Sequence, residues 1–273
     1  MRIGDLDFHV VDEGKGPAVL LLHGFPDSSY LWRHQVPALV KAGYRVVAPD
    51  LRGFGQSSRP EGVEHYAMPS LLGDVIGMLD TLSIERAHVV GHDWGAALAW
   101  VFGSLLPQRT TSLTALSVGH PALFSSLPIA QREKSWYMLF FQFAGVAEPL
   151  LQKNDWALMR ELLRDPADFG TYVRDLSRPG ALTAALNWYR ANVAPASQLA
   201  DGPALPPISV PTMGVWSDGD AFLIEEGMTR SKTLVTAPFR YERVVGAGHW
   251  IPVDAPEKVN ALLLDFLKTE VVS

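Results

Sequence analysis

The pentapeptide Gly91-His92-Asp93-Trp94-Gly95 lies between an apolar strand-like run, Ala87-His88-Val89-Val90, and an apolar helix-like run from Ala96 to Leu106. A strand that passes directly into a helix needs a sharp turn, and the glycines on either side of its tip remove the Cβ atoms that would keep strand and helix apart. In such an elbow the central residue sits on strained backbone, and where it is serine the turn presents a nucleophile. Here it is aspartate. A carboxylate can displace a leaving group from saturated carbon and become an ester that water then cleaves, so the motif points to hydrolysis of electrophilic alkyl substrates. A Gly-x-Asp-x-Gly match arises by chance about one time in ten in a chain this long. An aspartate at a helix N-terminus also serves as a plain cap. The rest of the chain therefore decides.

Two regimes alternate along it. Residues 1–120 carry apolar runs of strand length, Phe8 to Asp12, Ala18 to Leu22, Tyr44 to Ala48, Ala87 to Val90 and Leu113 to Val118, separated by helical segments. Nearly continuous apolar strands with helices between them indicate a parallel sheet covered on both faces. Residues 208–273 repeat the pattern with Thr212 to Trp216, Tyr241 to Val245 and a last helix from Pro256 to Lys268. Between these regions, over 121–207, strand-like runs give way to amphipathic segments: Gln131 to Phe143, Asp155 to Arg164, Pro166 to Leu176 and Ala181 to Val193. The Pro-rich stretch from Gly202 to Pro207 returns the chain to the core. The pattern predicts an α/β core of 1–120 and 208–273 with an inserted helical lid. With 273 residues, 48% of them hydrophobic, the chain suffices for one large core with such a lobe.

The core supplies further groups in order. Val215-Trp216-Ser217-Asp218-Gly219-Asp220 places acids after a strand, and Gly246-Ala247-Gly248-His249 places a histidine after the next. Nucleophile, acid, histidine is the order of a triad on an elbow-bearing sheet, with each residue at the C-terminal end of a strand. Read without function, the acids are turn residues and His249 a loop histidine. Earlier, His23-Gly24-Phe25-Pro26 follows the strand Ala18 to Leu22. A glycine there lets the backbone approach the elbow, so the amides of Phe25 and Trp94 are candidates for an oxyanion hole. A cis Phe25-Pro26 bond is admissible, because only an X-Pro bond makes that form inexpensive. The plainer reading is a strand-to-turn exit.

Over essentially its whole length the chain resembles the epoxide hydrolases of the α/β-hydrolase superfamily. The likeness is carried by His23-Gly24-Phe25-Pro26-Asp27-Ser28, by Asp50-Leu51-Arg52-Gly53-Phe54-Gly55-Gln56-Ser57, by the elbow with Trp94, and by His249-Trp250. Two lid segments add to it: Ser135 to Phe143 with Gly145-Val146-Ala147-Glu148, and Asn187-Trp188-Tyr189-Arg190. The resemblance implies an α/β-hydrolase fold. It implies that Tyr137 and Tyr189 donate hydrogen bonds to an epoxide oxygen, that Asp93 attacks an epoxide carbon, and that His249, oriented by Asp220, activates the water that cleaves the ester. The family's acid aligns with Asp220, directly before Ala221-Phe222-Leu223, better than with Asp218. A tyrosine suits its role because its pKa near 10 keeps it protonated at neutral pH. By spacing alone, tyrosines on apolar lid helices belong to a core or an interface.

Dehalogenases of the same fold use the same ester. Haloalkane dehalogenases resemble the chain at Trp94 but place a second halide donor such as Asn where Phe25 stands. Fluoroacetate dehalogenases share His-Gly-Phe-Pro but clamp a carboxylate with arginines at the positions of Trp94 and Ala97. A non-catalytic ligand receptor on a hydrolase fold is the alternative from another class. Phe25, Trp94, Trp136, Trp188, Phe222 and Trp250 lie in or near the motifs and suggest an apolar, aryl-tolerant pocket, or else the packing of lid on core.

A net charge of −6 with no Lys/Arg cluster argues against a nucleic-acid or membrane-surface partner. No apolar stretch of spanning length occurs, and the start of the chain shows no secretory pattern, so the expected location is cytoplasmic. There are no cysteines, and the eight histidines are scattered, so neither a metal nor another cofactor is expected. The expected partners are a small apolar epoxide and water, with a monomer or a homodimer both open.

Overall fold

The computed structural model describes residues 1–195 and 204–269. A short antiparallel pair, β1 (Arg2–Ile3) and β2 (Leu6–Asp7), precedes one seven-stranded sheet. Its strands are β3 (Val10–Gly14), β4 (Ala18–Leu22), β5 (Arg45–Pro49), β6 (Ala87–His92), β7 (Thr110–Leu116), β8 (Thr212–Ser217) and β9 (Phe239–Val244). They lie in the order β3-β5-β4-β6-β7-β8-β9, all parallel except β3, which runs antiparallel to β5. The central strands are buried on both faces, which is why Val19 to Leu22 and Ala87 to Val90 read as nearly unbroken apolar runs.

Helices α1 (Gln35–Lys41), α2 (Met68–Thr81) and α3 (Trp94–Leu105) belong to the first half of the core, and α9 (Glu225–Arg230), α10 (Ile251–Asp254) and α11 (Pro256–Thr269) to the second. α1 packs on α11, and α2 packs on α3. Every residue of α3 from Trp94 to Ser104 is buried, so this helix is apolar all round rather than on one stripe. Between β7 and β8 come α4 (Ile129–Lys134), α5 (Trp136–Phe140), α6 (Ala147–Leu162), α7 (Phe169–Leu176) and α8 (Ala181–Asn192). Of the Pro-rich return to the sheet, Gly202 and Pro203 lie outside the described residues.

Two lid segments differ from the sequence expectation. The single helix expected over Gln131 to Phe143 is two, broken at Ser135 (φ −95°, ψ 15°), where Gln131 Nε2 donates to Ser135 Oγ at 2.7 Å and to the Phe222 carbonyl at 2.9 Å. The helix expected from Asp155 is the second of two that share α6, joined at a kink where Lys153 is extended and Asn154, Asp155 and Trp156 are left-handed with φ of 53°, 53° and 61°. Asn and Asp tolerate that region better than other non-glycine residues, and the kink turns Trp156 inward, where it is buried. Periodicity alone registers neither feature.

The last lid helix is fastened to the core. Trp188 of α8 donates from Nε1 to the Arg52 carbonyl at 2.9 Å, and Asn192 bridges the Tyr66 carbonyl and the Met68 amide at 2.8 Å each. Arg52 is itself held by a bidentate pair with Asp74, at 2.7 and 2.5 Å.

At the elbow, Asp93 has φ 51° and ψ −121°, a conformation that costs a non-glycine residue roughly 1–3 kcal/mol and persists only where its surroundings dictate it. What dictates it is backbone contact. A Cβ on Gly95 would collide with the Leu22 carbonyl of β4. Alanine ordinarily stabilises a helix interior by about 1 kcal/mol over glycine. Gly95→Ala is expected to reverse that sign and lower the unfolding free energy read from urea titration by more than about 3 kcal/mol, or abolish soluble expression, because two backbones must part. Gly73→Ala on the exposed face of α2, where a Cβ meets nothing within 4 Å, is the control and is expected to be neutral or stabilising.

Candidate active site

Register brings the parts together. Leu22 pairs with Gly91 and Ser217 with Val244, so the loops leaving β4, β6, β8 and β9 open on one edge of the sheet. Gly24 lies so close to Asp93 that a Cβ there would overlap its carboxylate, and this approach lets the Phe25 amide donate to Asp93 Oδ1 at 2.8 Å. The Phe25-Pro26 bond is cis. Trp94 opens α3, so its N–H is among the amides that have no acceptor within the helix.

His249 stands between two carboxylates. Its Nδ1 lies 2.9 Å from Asp220 Oδ2 and its Nε2 3.6 Å from Asp93 Oδ2. Asp220 Oδ1 accepts from the Phe222 and Leu223 amides at 2.8 and 2.9 Å. All three side chains are nearly excluded from water. Burial alone would raise both carboxyls and lower the imidazole. The shifts run the other way: the His249 charge and hydrogen bonds hold Asp93 and Asp220 below the usual carboxylate range, and the two carboxylates together hold His249 above its ordinary value. Asp218 lies apart. It accepts from the Gly246 amide at 2.8 Å and faces Arg243.

From the lid, Tyr137 of α5 and Tyr189 of α8 reach the same place. Their rings meet edge-on with centroids 6.0 Å apart. Burial first, then the negative charge of Asp93, pushes both phenols well above their ordinary pKa, so both remain protonated donors. Phe25, Asp93, Tyr137, Tyr189, Phe222, His249 and Trp250 line one narrow cavity together with Phe141, Leu162 and Leu163, with a volume of about 10 Å³.

Three aromatic residues expected in the substrate pocket stand elsewhere. Trp136 is 54% exposed: Tyr137 and Phe141, one helical turn apart, turn inward, and the residue beside Tyr137 points out. Trp188 is fully buried, but its ring packs on Phe54 and Trp94, so it anchors the lid instead. Trp94 stands behind Tyr189, with ring centroids 5.1 Å apart. Sequence reasoning missed Phe141, Leu162 and Leu163. The i+4 spacing of Phe141 from Tyr137 was a usable signal, whereas nothing singled out the leucines among other apolar lid residues.

Asp27 is a third buried carboxyl beside the cavity. It accepts from Trp250 Nε1 at 2.9 Å. Burial, only partly offset by the neighbouring Tyr172 and Trp250 donors, pushes it up to about 8. A carboxyl with a folded pKa above its unfolded value contributes stability at low pH that is lost as pH rises through the folded value. Asp27→Asn, which cannot ionise, is therefore expected to remove a stability decline seen between about pH 4 and pH 8 in urea titrations of the unsubstituted protein. An unchanged decline would show that Asp27 is not its source.

Comparison with known proteins gives a consistent picture. Residues 17–256 match a family described as the alpha/beta hydrolase fold. The chain is 37% identical to the AB hydrolase superfamily protein YfhM of Bacillus subtilis, over 97% of this chain and 96% of that one. It is 36% identical to Epoxide hydrolase A of Mycobacterium tuberculosis, over 94% and 93%. Among solved structures, the Bacillus megaterium epoxide hydrolase in complex with an inhibitor superposes with a TM-score of 0.89 at 26% identity, covering 98% of this chain and 99% of that one.

Proposed function

The chain belongs to the epoxide hydrolases of the α/β-hydrolase superfamily, and from that footing we propose that it opens a small apolar epoxide to a vicinal diol through an ester on Asp93. Residues 121–207 act in this reading as a cap over a core of 1–120 and 208–273. What supports it is the meeting, at one cavity, of a low-pKa carboxylate, a histidine paired with a second carboxylate, and two permanently protonated phenols.

Asp93 Oδ2, which has no hydrogen bond shorter than its 3.6 Å approach to His249, is the attacking atom. Oδ1 stays under the Phe25 amide and becomes the ester carbonyl oxygen. Attack proceeds from the side opposite the breaking C–O bond, and Tyr137 and Tyr189 donate to the oxygen as it becomes an alkoxide. The ester no longer carries the Asp93 charge, so His249 loses one of the two carboxylates that raise its pKa; its proton passes to the alkoxide held by the tyrosines, making the first hydroxyl of the diol, and the neutral imidazole becomes the base for water. Water adds to the Asp93 carboxyl carbon, and the Phe25 and Trp94 amides receive the oxyanion. Asp220 keeps Nδ1 of the ring engaged and stabilises the imidazolium. A cytoplasmic location is proposed alongside; no described helix is long and apolar enough to cross a membrane. The constellation is complete within one chain, so a monomer or a homodimer serves equally.

Replacing His249 with Ala is expected to permit alkylation and slow ester hydrolysis by about 10²–10⁴-fold. Intact-protein mass spectrometry should then show the protein heavier by one substrate mass, with the label on Asp93. An unlabelled His249→Ala protein beside an active Asp93→Ala protein would sink the assignment. Asp220→Asn should slow hydrolysis far more than Asp218→Asn.

Epoxide opening leaves its oxygen on the product and needs proton donors, whereas a halide leaves as a free anion. With a terminal epoxide and the matching 1-bromoalkane, kcat/KM should favour the epoxide by at least about 10²-fold, roughly 3 kcal/mol at the transition state. Equal or faster bromide release would instead promote the dehalogenase reading.

A further inference from the structure

The two tyrosines stand on different lid helices, yet both must reach one oxygen atom. Between those helices lies a buried ion pair outside the cavity. Arg190, the residue after Tyr189, donates from Nη1 to Glu148 Oε1 at 2.7 Å and to Asn187 Oδ1 at 3.1 Å, and from Nε to the Phe141 carbonyl at 2.9 Å. Phe141 follows Tyr137 by one turn and donates its own N–H to the Tyr137 carbonyl at 2.9 Å. Glu148, in the first turn of α6, accepts at Oε2 from the Gly145 amide at 3.0 Å, fixing the connection between α5 and α6. Gln142 adds a parallel link, donating to the Tyr189 and Met138 carbonyls at 3.2 and 3.1 Å.

We infer that Arg190 and Glu148 form a positioning clamp that sets the spacing of the Tyr137 and Tyr189 hydroxyls for epoxide opening, an inference that rests on the alkylation reading above. The Arg190 and Glu148 side chains are only 6% and 14% exposed. Burying an ion pair recovers little net stability over apolar residues of similar size. Arg190 Nη2 is moreover buried without a hydrogen-bond partner, a further cost. A pair kept on these terms is explained by direction: one guanidinium fork ties the backbone beside Tyr189 to the backbone one turn after Tyr137. Hydrogen bonds from a hydroxyl hold over only a few tenths of an ångström, and a misplacement of about 1 Å at a reacting centre costs on the order of 10²-fold in rate.

Rapid-quench measurements with styrene oxide separate this role from simple structural support. The rate constant for ester formation reports tyrosine geometry, and the burst amplitude reports the folded fraction. Arg190→Met is expected to slow ester formation by about 10-fold or more per active site, while the rate constant for hydrolysing the formed ester changes by less than about 2-fold. Arg190→Lys, which keeps the charge but lacks the fork, should recover only part of the loss. If Arg190→Met does not fold, Glu148→Gln carries the test under the same criteria. Reduced amplitude with unchanged rate constants overturns the clamp alone. Absence of any covalent intermediate in the unsubstituted enzyme and in its His249→Ala variant overturns the mechanism and the clamp together.

Discussion

Two buried carboxylates share one imidazole, and much of the site follows from that arithmetic of charge. Asp93 and Asp220 face opposite nitrogens of His249, all three nearly excluded from water. In so poorly screened a place either carboxylate alone would take up a proton, and the imidazole alone would lose one. Together they hold each other ionised. Fixed backbone dipoles complete the balance: two amides on Asp220 and one on Asp93 oppose the burial penalty without adding net charge. The arrangement is also poised to change. An ester on Asp93 cancels one charge, and the imidazole then faces a single carboxylate, so the first chemical step would itself lower the proton affinity of the base needed in the second.

Holding Asp93 there requires backbone contacts that no side chain can replace. The left-handed φ of 51° is dictated by β4 and α3 meeting through Gly95 and by the Gly24 loop lying against the carboxylate. These contacts hold a strained residue within well-packed, buried surroundings, which is the setting in which such strain persists. The lid is attached by different means, through Trp188 and Asn192 on peptide groups of the Arg52 to Met68 stretch. Hydrogen bonds to backbone at the lid–core boundary locate α8 alongside the packing of Trp188 on Phe54 and Trp94.

Much of this was legible in the residues, and what was not has a common cause. The strands at Ala18 and Ala87 and the elbow are visible because strand burial on both faces and a glycine-flanked turn leave sequence traces. The order of Asp93, Asp220 and His249 is visible because parallel strands all deliver their loops to one edge. Tyr137 and Tyr189 were visible only by resemblance. Lid aromatics were the weak point: periodicity marks a buried face but does not distinguish a face that looks into a cavity from one that packs on protein. Trp136 and Trp188 were assigned to the pocket for their size and neighbourhood, yet one faces solvent and the other the core. Leu162 and Leu163, which do line the cavity, carry no mark that other lid leucines lack.

Placing the Asp93 carboxylate on the core and the two phenols on the lid has an electrostatic consequence. Tyr137 and Tyr189 face the Asp93 carboxylate across the cavity, and that charge joins burial in raising both phenols. A phenol kept protonated by a neighbouring anion is a reliable donor but a reluctant acid. In the proposed mechanism, an ester on Asp93 would remove that anion and a developing alkoxide would take its place beside the hydroxyls. Donation would then be weakest in pull before attack and strongest once charge had moved onto the leaving oxygen, so the lid would favour the transition state over the bound substrate, which is the only kind of interaction that accelerates a step.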